Sequence, residues 1–421
     1  MILRLPYGRD SLAADLRGLR CHQLAPSAPK GHLPASRLIA AALDQPITGP
    51  PLVEIVRGAG RVTVLVPDAT RRAWLPEVLP EVLARLAHGG VAMNGVTVLV
   101  ACGTHPPAGA AEAAALVGPL PDNVRLLQHD AGDDGALVEI GRTRWGLEIR
   151  LHRAAVEADR VVAVSTVRHH YFAGFGGGPK MVFPGVAGYE EIQANHARVL
   201  DLGVTPPRRH PRCEPGVLVG NPVAEEIAEA AALRPPDLAL LMVAGIGGGP
   251  AWAASGPLEA VFPAACAQVR AWYEVAAGPF SRLVVSAGGH PQDRTLIQAH
   301  KALDAACRFA APGAEVLFVA ECGDGAGSVD MAPFLADPRP EAIVTRLAER
   351  YVQYGHTTLR LVEKTARFSV LAHTRLPAEL LARVGLTPVP SVEAVLDRWR
   401  EEDRSGVVGV MASGSVYPPS A

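Results

Sequence analysis

Residues 62–72 read VTVLVPDATRR: a short run of valine and leucine passes at once into a polar loop. The pattern returns at 96–107 (VTVLVACGTHPP) and at 160–180 (RVVAVSTVRHHYFAGFGGGPK). Apolar runs of this length are typical of strands buried in a parallel sheet, and longer stretches with helical periodicity separate them. The sequence therefore predicts an α/β fold with helices on both faces of the sheet. Because loops at the carboxyl ends of parallel strands line the ligand crevice, we expect these three loops to converge.

A chain of 421 residues is longer than a single hydrophobic core usually organises, so we expect two domains of unequal size. The composition changes near residues 273–281, before a new predicted strand at 283–286. We predict a larger N-terminal, Rossmann-like parallel-sheet domain over 1–275, for cofactor binding and catalysis, and a smaller C-terminal α/β domain over 276–405. The segment 406–421 is predicted to return to the N-terminal domain, and the active site to lie in the cleft between the domains.

Charge and composition leave small neutral or singly charged substrates open, and we expect the protein to be cytoplasmic. Lys plus Arg (40) nearly balance Asp plus Glu (42), which favours neither a nucleic acid nor an anionic membrane as partner. The six cysteines are scattered without CxxC pairs, as in a reducing compartment, and the N-terminus does not resemble a secretion signal. Residues 238–258 are uncharged but rich in glycine and contain Pro250, so we interpret them as a buried strand leading into a loop rather than a membrane span.

The segment 168–196, RHHYFAGFGGGPKMVFPGVAGYEEIQANH, carries the most information. It is not a nucleotide-binding P-loop, because Pro179 stands where that motif needs glycine and Met181 replaces the Ser or Thr that holds magnesium. A glycine run that ends in Lys180 lets backbone approach a bulky ligand closely. The alternative is a glycine-rich surface turn with a solvated lysine.

Two histidines follow predicted strands and are candidate acid/base residues. His105, in GTHPP, and His170 could each titrate near neutrality. A lone histidine is more often structural, but two on converging loops favour a functional role.

The motif PDATR offers a candidate site for a carboxylate. The guanidinium of Arg71 could bind a carboxylate group, with Asp68 either orienting Arg71 or contacting cofactor hydroxyls. The alternative is a surface ion pair, for which Arg72 is the ordinary candidate.

Gln298 and Lys301 are three residues apart on a predicted helix of the second domain, so their side chains share a face. They could add a carboxamide and a cation to the cleft between the domains. On its own this pair is a weak signal, because exposed Gln and Lys with this spacing are common on helices.

Together these motifs resemble the nickel-pincer-nucleotide-dependent lactate racemase (LarA-like) family, from about Asp68 to Gly327. The motifs that fall in the family's order are DATR, GTHPP, HHYFAGFGGGPKMVFPGVAG, the pair Asn195-His196, GGHPQD with Gln298 and Lys301, and ECGDGAGS. Only the long glycine segment is specific by itself. The joint order of the motifs carries the resemblance.

The resemblance implies a nickel-pincer nucleotide, a modified pyridinium mononucleotide with two sulfur-containing arms and a carbon-bound nickel, which enzymes of cofactor biosynthesis must supply. It implies that Lys180 is tethered to this cofactor and that His196 gives the protein's ligand to nickel. The remaining assignments are His105 and His170 as paired acid/base residues, Arg71, Gln298 and Lys301 for the substrate, and Asp68, Thr104, Gly176, Gly177 and Gly178 for the cofactor. His170 is preferred to its neighbour His169 because it precedes Lys180 by ten residues, as in the family pattern.

The implied function is racemisation or epimerisation of a 2-hydroxy acid through a bound 2-keto acid. Ile297 replaces a tyrosine of lactate racemase, and no tryptophan occurs between Trp272 and Trp399 to match an aromatic residue of its second domain. Malate, a larger aryl or aliphatic 2-hydroxy acid and a sugar acid are therefore as compatible as lactate. Two other classes are open: a metal-dependent lyase or hydrolase with three histidine ligands (His105, His170 and His196), and a two-lobed binding protein for a small solute.

Overall fold

We describe the fold from a computed structural model, which covers residues 1–30, 34–71, 73–402, 406–414 and 416–420. The strands are β1 Ile2–Tyr7, β2 Asp10–Asp15, β3 Arg20–Gln23, β4 Val62–Pro67, β5 Val96–Ala101, β6 Arg125–Gln128, β7 Leu137–Arg142, β8 Glu148–His152, β9 Arg160–Thr166, β10 Arg168–His170, β11 Gly174–Gly176, β12 Leu200–Asp201, β13 Arg208–Arg209, β14 Leu238–Ala244, β15 Pro250–Gly256, β16 Phe280–Ser286, β17 Ala310–Val319, β18 Ser369–His373, β19 Leu386–Pro388 and β20 Val407–Met411. The helices are α1 Ala35–Asp44, α2 Leu52–Ile55, α3 Leu75–His88, α4 Ala110–Val117, α5 Arg153–Val156, α6 Tyr189–Ala197, α7 Pro222–Leu233, α8 Leu258–Tyr273, α9 Leu296–Ala306, α10 Pro340–Glu349, α11 Gln353–Thr365, α12 Ala378–Arg383 and α13 Val392–Glu402.

The chain forms two compact units. The larger unit consists of Ala28–Val199 and Pro211–Trp272, and the smaller unit consists of Met1–Ser27, Leu200–His210 and Tyr273–Ala421. Each unit contains its own parallel sheet, which confirms the predicted α/β class. No helix in the described part of the chain is both long and apolar enough to span a membrane.

The sheet of the larger unit has the strand order β15-β14-β9-β4-β5-β6. Neighbours from β14 to β6 are parallel, and β15 is antiparallel to β14. The chain adds β5 and β6 on one side of β4 and then places β9 and β14 on the other side. The strand order therefore reverses between β4 and β9, and open parallel sheets bind their ligands at such a switch point.

Apolar burial explains why these strands form at the centre of the sheet. All six residues of β4 are buried, and its Val62, Val64 and Val66 pack in one hydrophobic cluster with the matching valines of β5. Helix α3 covers this cluster because its leucines and valines recur at intervals of three and four residues, from Leu75 to Leu86. The expected buried strand within 238–258 is β14, which is buried along nearly its whole length.

The sheet of the smaller unit has the order β19-β18-β17-β16-β20-β3, and all its neighbours are parallel. One face packs against α9 and α11, whose Leu303 and Leu361 belong to the same hydrophobic cluster. The other face packs against the β1–β2 hairpin and α13, where Leu5 and the fully buried Trp399 share a second cluster.

The predicted domain limits need two corrections. The prediction that 406–421 return to the N-terminal domain is wrong, because β20 pairs in parallel with β16 and β3 of the smaller unit. Residues Met1–Ser27, predicted to lie in the first domain, also belong to the smaller unit. The physical reason is that β20 is almost fully buried and completes the sheet beside β16. Tyr273, where the final stretch of the smaller unit begins, lies close to the predicted boundary at 275.

Candidate active site

Three predicted site loops leave the same edge of the larger unit's sheet. They follow the carboxyl ends of β9, β4 and β5, which are adjacent strands in that order. The loops are also joined to each other: the Asp68 carboxylate bonds to His105, and Gly103 N–H donates to the carbonyl of Gly185 over 2.9 Å. The structure thus brings together the segments that carry Asp68, His105 and the glycine run.

Asp68 and His105 form a close carboxylate–imidazole pair, with Oδ2 and Nδ1 2.6 Å apart. Thr70 Oγ1 donates to the other carboxylate oxygen over 2.7 Å. Burial acts to raise the pKa of Asp68, but the hydrogen bonds from His105 and Thr70 and the charge of Arg71 outweigh it, so this pKa lies below its ordinary value. Asp68 is therefore ionised near neutrality and can only accept, which places the hydrogen of the pair on His105 Nδ1.

The Nδ1 atom of His170 accepts a hydrogen bond, whereas that of His105 donates one. His170 is the last residue of β10, and the N–H of Ala173 donates to its Nδ1 over 3.2 Å. A ring nitrogen that accepts a hydrogen bond carries no hydrogen, so the neutral ring has its hydrogen on Nε2. The neighbouring His169 has a different contact. It pairs with Phe175 across the β10–β11 hairpin, and the two rings stack with their centroids 5.1 Å apart.

Phe172 lies where the predicted site residues meet, although the sequence did not single it out. Its ring contacts His170 edge-on at 4.7 Å and His196 edge-on at 5.2 Å between centroids. Lys180 Nζ lies 5.8 Å from the centre of the same ring. Phe172 is 2 % exposed. One buried aromatic ring therefore lies next to a lysine and two histidines.

Lys180 has the properties of a nucleophilic lysine. It lies in a short 3₁₀ turn, Gly178–Met181, after the glycine run. Burial, together with the positive charge of Arg71, lowers its pKa to about 7. Among the described residues, none forms a hydrogen bond or a salt bridge with its amine. A large fraction of the amine is thus uncharged near neutrality, as covalent attachment of a ligand requires.

Arg71 makes no salt bridge with any residue that the structure describes, so the surface ion pair considered as an alternative is not observed there. Its backbone N–H donates to the Asp68 carbonyl over 3.0 Å. The Asp68 side chain is bonded to His105 and Thr70, rather than orienting the Arg71 side chain. Arg72 lies outside the described residues.

His196 is suited to metal binding. It lies near the end of α6 and is 6 % exposed. Burial and the charge of Lys180 lower its pKa to about 3, so the ring is neutral, and its buried Nδ1 has no hydrogen-bond partner in the described residues. A neutral imidazole with an unused nitrogen is the form that binds a transition metal.

A buried network holds the end of α6 in place on both sides of His196. Glu226 of α7 is fully buried and accepts hydrogen bonds from Asn195 Nδ2 over 3.1 Å and from Arg198 Nη2 over 2.8 Å. Thr143 Oγ1 donates to the same carboxylate over 3.0 Å. Sequence reasoning missed Glu226, because a glutamate on a helix is usually exposed and only the fold turns this one inward.

Gly177 and Gly178 have a packing role within the protein. Gly177 and Gly178 have φ angles of 76° and 57°, which favour glycine. A Cβ at Gly177 would lie 2.2 Å from the carbonyl oxygen of Thr166, and one at Gly178 would lie 2.3 Å from the Phe262 ring. Gly176 has more room, since the nearest atom would be 3.8 Å away. The protein's own packing therefore requires glycine at 177 and 178, and contact with a cofactor stays a prediction, as it does for the partly buried Thr104 beside His105.

Gln298 and Lys301 lie on α9 of the smaller unit, whereas the other predicted site residues lie in the larger unit. They share a face as predicted, since Lys301 Nζ donates to Gln298 Oε1 over 2.6 Å. Ile297, the residue that departs from the family pattern, packs in the hydrophobic core of this unit. A substrate role for Gln298 and Lys301 stays a prediction, and so does the location of the active site in a cleft between the domains.

Among the described residues, no three His, Cys, Asp or Glu side chains are grouped so that they could hold a metal ion together. This includes His105, His170 and His196, the three ligands considered for a lyase or hydrolase. The geometry instead offers one neutral histidine, His196, beside a nucleophilic lysine, which fits a metal that is carried mainly by an organic cofactor.

Solved structures match the fold over nearly the full length. The lactate racemase apoprotein from Thermoanaerobacterium thermosaccharolyticum superposes with a TM-score of 0.88 and 24 % identity, covering 99 % of each chain. A protein from Thermotoga maritima gives a TM-score of 0.66 and 16 % identity, covering 90 % of this chain and 97 % of its own. At these identities the two matches show a shared fold.

Sequence comparison connects the chain to a family. The family model described as the lactate racemase N-terminal domain matches residues 7–204. The lactate racemase of T. thermosaccharolyticum is 27 % identical over 355 residues, which cover 83 % of this chain and 81 % of the relative. The lactate racemase of Lactiplantibacillus plantarum is 28 % identical over 340 residues, with 79 % and 78 % covered. This chain therefore matches the lactate racemase N-terminal domain over residues 7–204 and is similar to two lactate racemases over about four fifths of its length.

Proposed function

We propose that this protein is a racemase or epimerase of 2-hydroxy acids that works with a nickel-pincer nucleotide. The observation that carries the proposal is the meeting of Lys180, His196 and His170 around the Phe172 ring, at the sheet edge that also holds His105. The names of the two sequence relatives support the reaction class. Lactate is the first substrate to test, and malate, larger 2-hydroxy acids and sugar acids follow.

The reaction needs a cofactor because the hydrogen on the carbon of a 2-hydroxy carboxylate is poorly acidic. Ionisation would place a carbanion beside an existing carboxylate. When bound, the nickel-pincer nucleotide supplies a reversible acceptor for hydride, so the substrate passes through a bound 2-keto acid instead. Lys180 would hold this cofactor through a covalent bond from its uncharged amine, and His196 would give a ring nitrogen to the nickel.

The protein's own part is to move the hydroxyl proton. His105 Nε2 accepts this proton from one enantiomer, and the Asp68 carboxylate stabilises the imidazolium that results. His170 is the proposed acid/base residue for the hydroxyl group of the other enantiomer. In the tautomer set by Ala173 N–H, the neutral ring can donate an Nε2–H hydrogen bond to the keto oxygen. To exchange a full proton at Nε2, the ring must carry hydrogen on Nδ1, so the bond from Ala173 N–H must open in that step. Arg71 is the proposed partner of the substrate carboxylate.

Within this proposal the protein works in the cytoplasm and depends on other enzymes for its cofactor. All six cysteines are thiols rather than disulfides, which supports a reducing compartment. Because other enzymes build the nucleotide, they must be present during expression if the protein is to be loaded with its cofactor.

The direct test is to incubate loaded protein with single enantiomers of several 2-hydroxy acids and to follow the mirror form or epimer by chiral chromatography. We expect racemisation of at least one substrate. The variants His105→Ala and His170→Ala should lose turnover and keep nickel, whereas His196→Ala should lose nickel. Tight binding without turnover across a broad panel would favour a solute-binding protein, and bound zinc without a cofactor adduct would favour a lyase or hydrolase.

A further inference from the structure

The pairing of Asp68 with His105 assigns a role that differs from cofactor contact. The two side chains belong to loops after adjacent strands, β4 and β5, and their Oδ2 and Nδ1 atoms are 2.6 Å apart. The Asp68 side chain is 13 % exposed, while that of His105 is 35 % exposed. The carboxylate is therefore the enclosed partner, and the imidazole is the one that can meet a substrate.

The direction of this hydrogen bond determines which nitrogen of His105 is reactive. An ionised carboxylate has only acceptor atoms, so the hydrogen lies on Nδ1 and Nε2 keeps its lone pair. Among the described residues, none makes a hydrogen bond with His105 Nε2. His170 contrasts with this, because it accepts the Ala173 N–H at Nδ1 and its neutral ring has hydrogen on Nε2. The two histidines therefore start from opposite tautomers.

We propose that Asp68 is a positioning residue, which holds His105 in the Nδ1–H tautomer so that Nε2 takes the hydroxyl proton of the substrate. The inference deepens the proposed racemase function and rests on it. Asp68 does not itself touch the substrate. Its effect on the reaction passes entirely through the ring of His105.

The step balances without any proton transfer to Asp68. The substrate O–H bond breaks and an Nε2–H bond forms on His105. When bound, the cofactor would supply the acceptor for the hydride that carries away the electron pair of the C–H bond, and the substrate carbon would be oxidised to the keto state. His105 becomes a cation beside the Asp68 anion, and the ion pair lowers the energy of this state. On return, the same proton or one from His170 restores the hydroxyl group.

The first test reads the tautomer directly and does not depend on turnover. In unloaded protein labelled with ¹⁵N-histidine, the ring signals of His105 are assigned by comparison with His105→Ala. We expect hydrogen on Nδ1 in the wild type and a shift toward the Nε2–H form in Asp68→Asn, whose amide can donate to Nδ1. Hydrogen on Nε2 in the wild type would overturn the proposal. This result stands whether or not a substrate is ever found, so it separates the failure of this inference from failure of the racemase function.

The second test uses loaded protein. Asp68→Asn should lower kcat by about 10²- to 10⁴-fold, the range for losing a positioned base or its tautomer, with KM changed far less. Nickel content and the cofactor adduct should stay as in the wild type. The control is Asp159→Asn, which removes a carboxylate that accepts from the N–H groups of Gly60 and Arg61 at the other end of the strands. This control should keep wild-type turnover.

Two outcomes in loaded protein would contradict the role of Asp68. If Asp68→Asn loses nickel or the adduct, Asp68 acts on the cofactor rather than on His105. If it keeps wild-type kcat, the pairing has no part in the reaction. Should the variant fail to fold, the tautomer of His105 in the wild type still decides the question.

Discussion

Replacing Phe172 by leucine should damage the site more than the fold. The ring has edge-on contacts with His170, Tyr171 and His196, with centroids 4.7, 4.7 and 5.2 Å away. Each aromatic pair of this kind contributes about 0.5–1.5 kcal/mol beyond the area it buries. Leucine fills much of the space but none of these ring contacts, so we expect a loss of about 2–4 kcal/mol in the free energy of unfolding. A shift of His170 or His196 by about 1 Å lowers turnover by about 10²-fold.

The assay is kcat/KM of loaded protein for both enantiomers, with nickel content and urea unfolding measured in parallel. Because the equilibrium constant of a racemisation is one, kcat/KM must fall by the same factor in both directions, which checks the data internally. The control is Phe309→Leu, since Phe309 is 1 % exposed and lies in the core of the smaller unit. It should lose comparable stability and keep its turnover. If Phe172→Leu reacts as fast as this control, Phe172 does not set the spacing of the site.

Two further predictions concern stability. Burial lowers the pKa of His129 to about 4, although its Nε2 donates a hydrogen bond to the Ala187 carbonyl. Below about pH 6.5 the unfolded chain therefore binds a proton that the folded protein does not bind. The free energy of unfolding should fall by on the order of 3 kcal/mol between pH 6.5 and 4. His129→Gln should show a smaller fall between urea midpoints at pH 7.5 and 4.5, and an unchanged pH dependence would contradict this. Asp304→Asn should cost about 3–5 kcal/mol, because Arg360, fully buried and 2.8 Å away, loses its counter-ion. Urea unfolding measures the loss of stability, with Asp324→Asn as the control. This control breaks the exposed ion pair of Asp324 with Arg294 and should cost under about 1 kcal/mol. Equal losses in the two variants would show that burial of the Asp304 ion pair does not matter.

The strands of the larger unit could be predicted because their sequence signal is local. The runs at 62–66, 96–101 and 160–164 are the strands β4, β5 and β9, and burial on both faces explains why they contain almost only apolar residues. Parallel strands have their carboxyl ends at one edge of the sheet. The positions of the three site loops could therefore be expected from the amino-acid sequence alone.

The composition of the smaller unit could not be predicted in the same way. β3 reads RCHQ, which has no strand pattern, and it joins the sheet through backbone pairing with β20, almost 400 residues away along the chain. Residues Leu200–His210 likewise belong to this unit although the chain around them belongs to the other. Such long-range pairings depend on tertiary structure and leave no local trace.

At the site, the sequence identified residue types better than their partners. His105, His170, Lys180 and His196 are all brought to one edge of the sheet or to the Phe172 ring. That Asp68 bonds to His105 rather than to the side chain of Arg71 depends on the geometry of two separate loops. The packing constraint on Gly177 and Gly178 could not be predicted either, because the atoms that exclude a side chain there belong to distant parts of the chain and to its tertiary structure.

The most direct measurement is mass spectrometry of the protein made together with cofactor-building enzymes. We predict one adduct of nucleotide mass that maps to the peptide with Lys180, together with bound nickel. The adduct should vanish in Lys180→Ala and persist in Lys30→Arg, which alters an exposed lysine. An unmodified Lys180 in protein that still racemises a 2-hydroxy acid, or an adduct on another residue, would contradict the proposed anchoring of the cofactor.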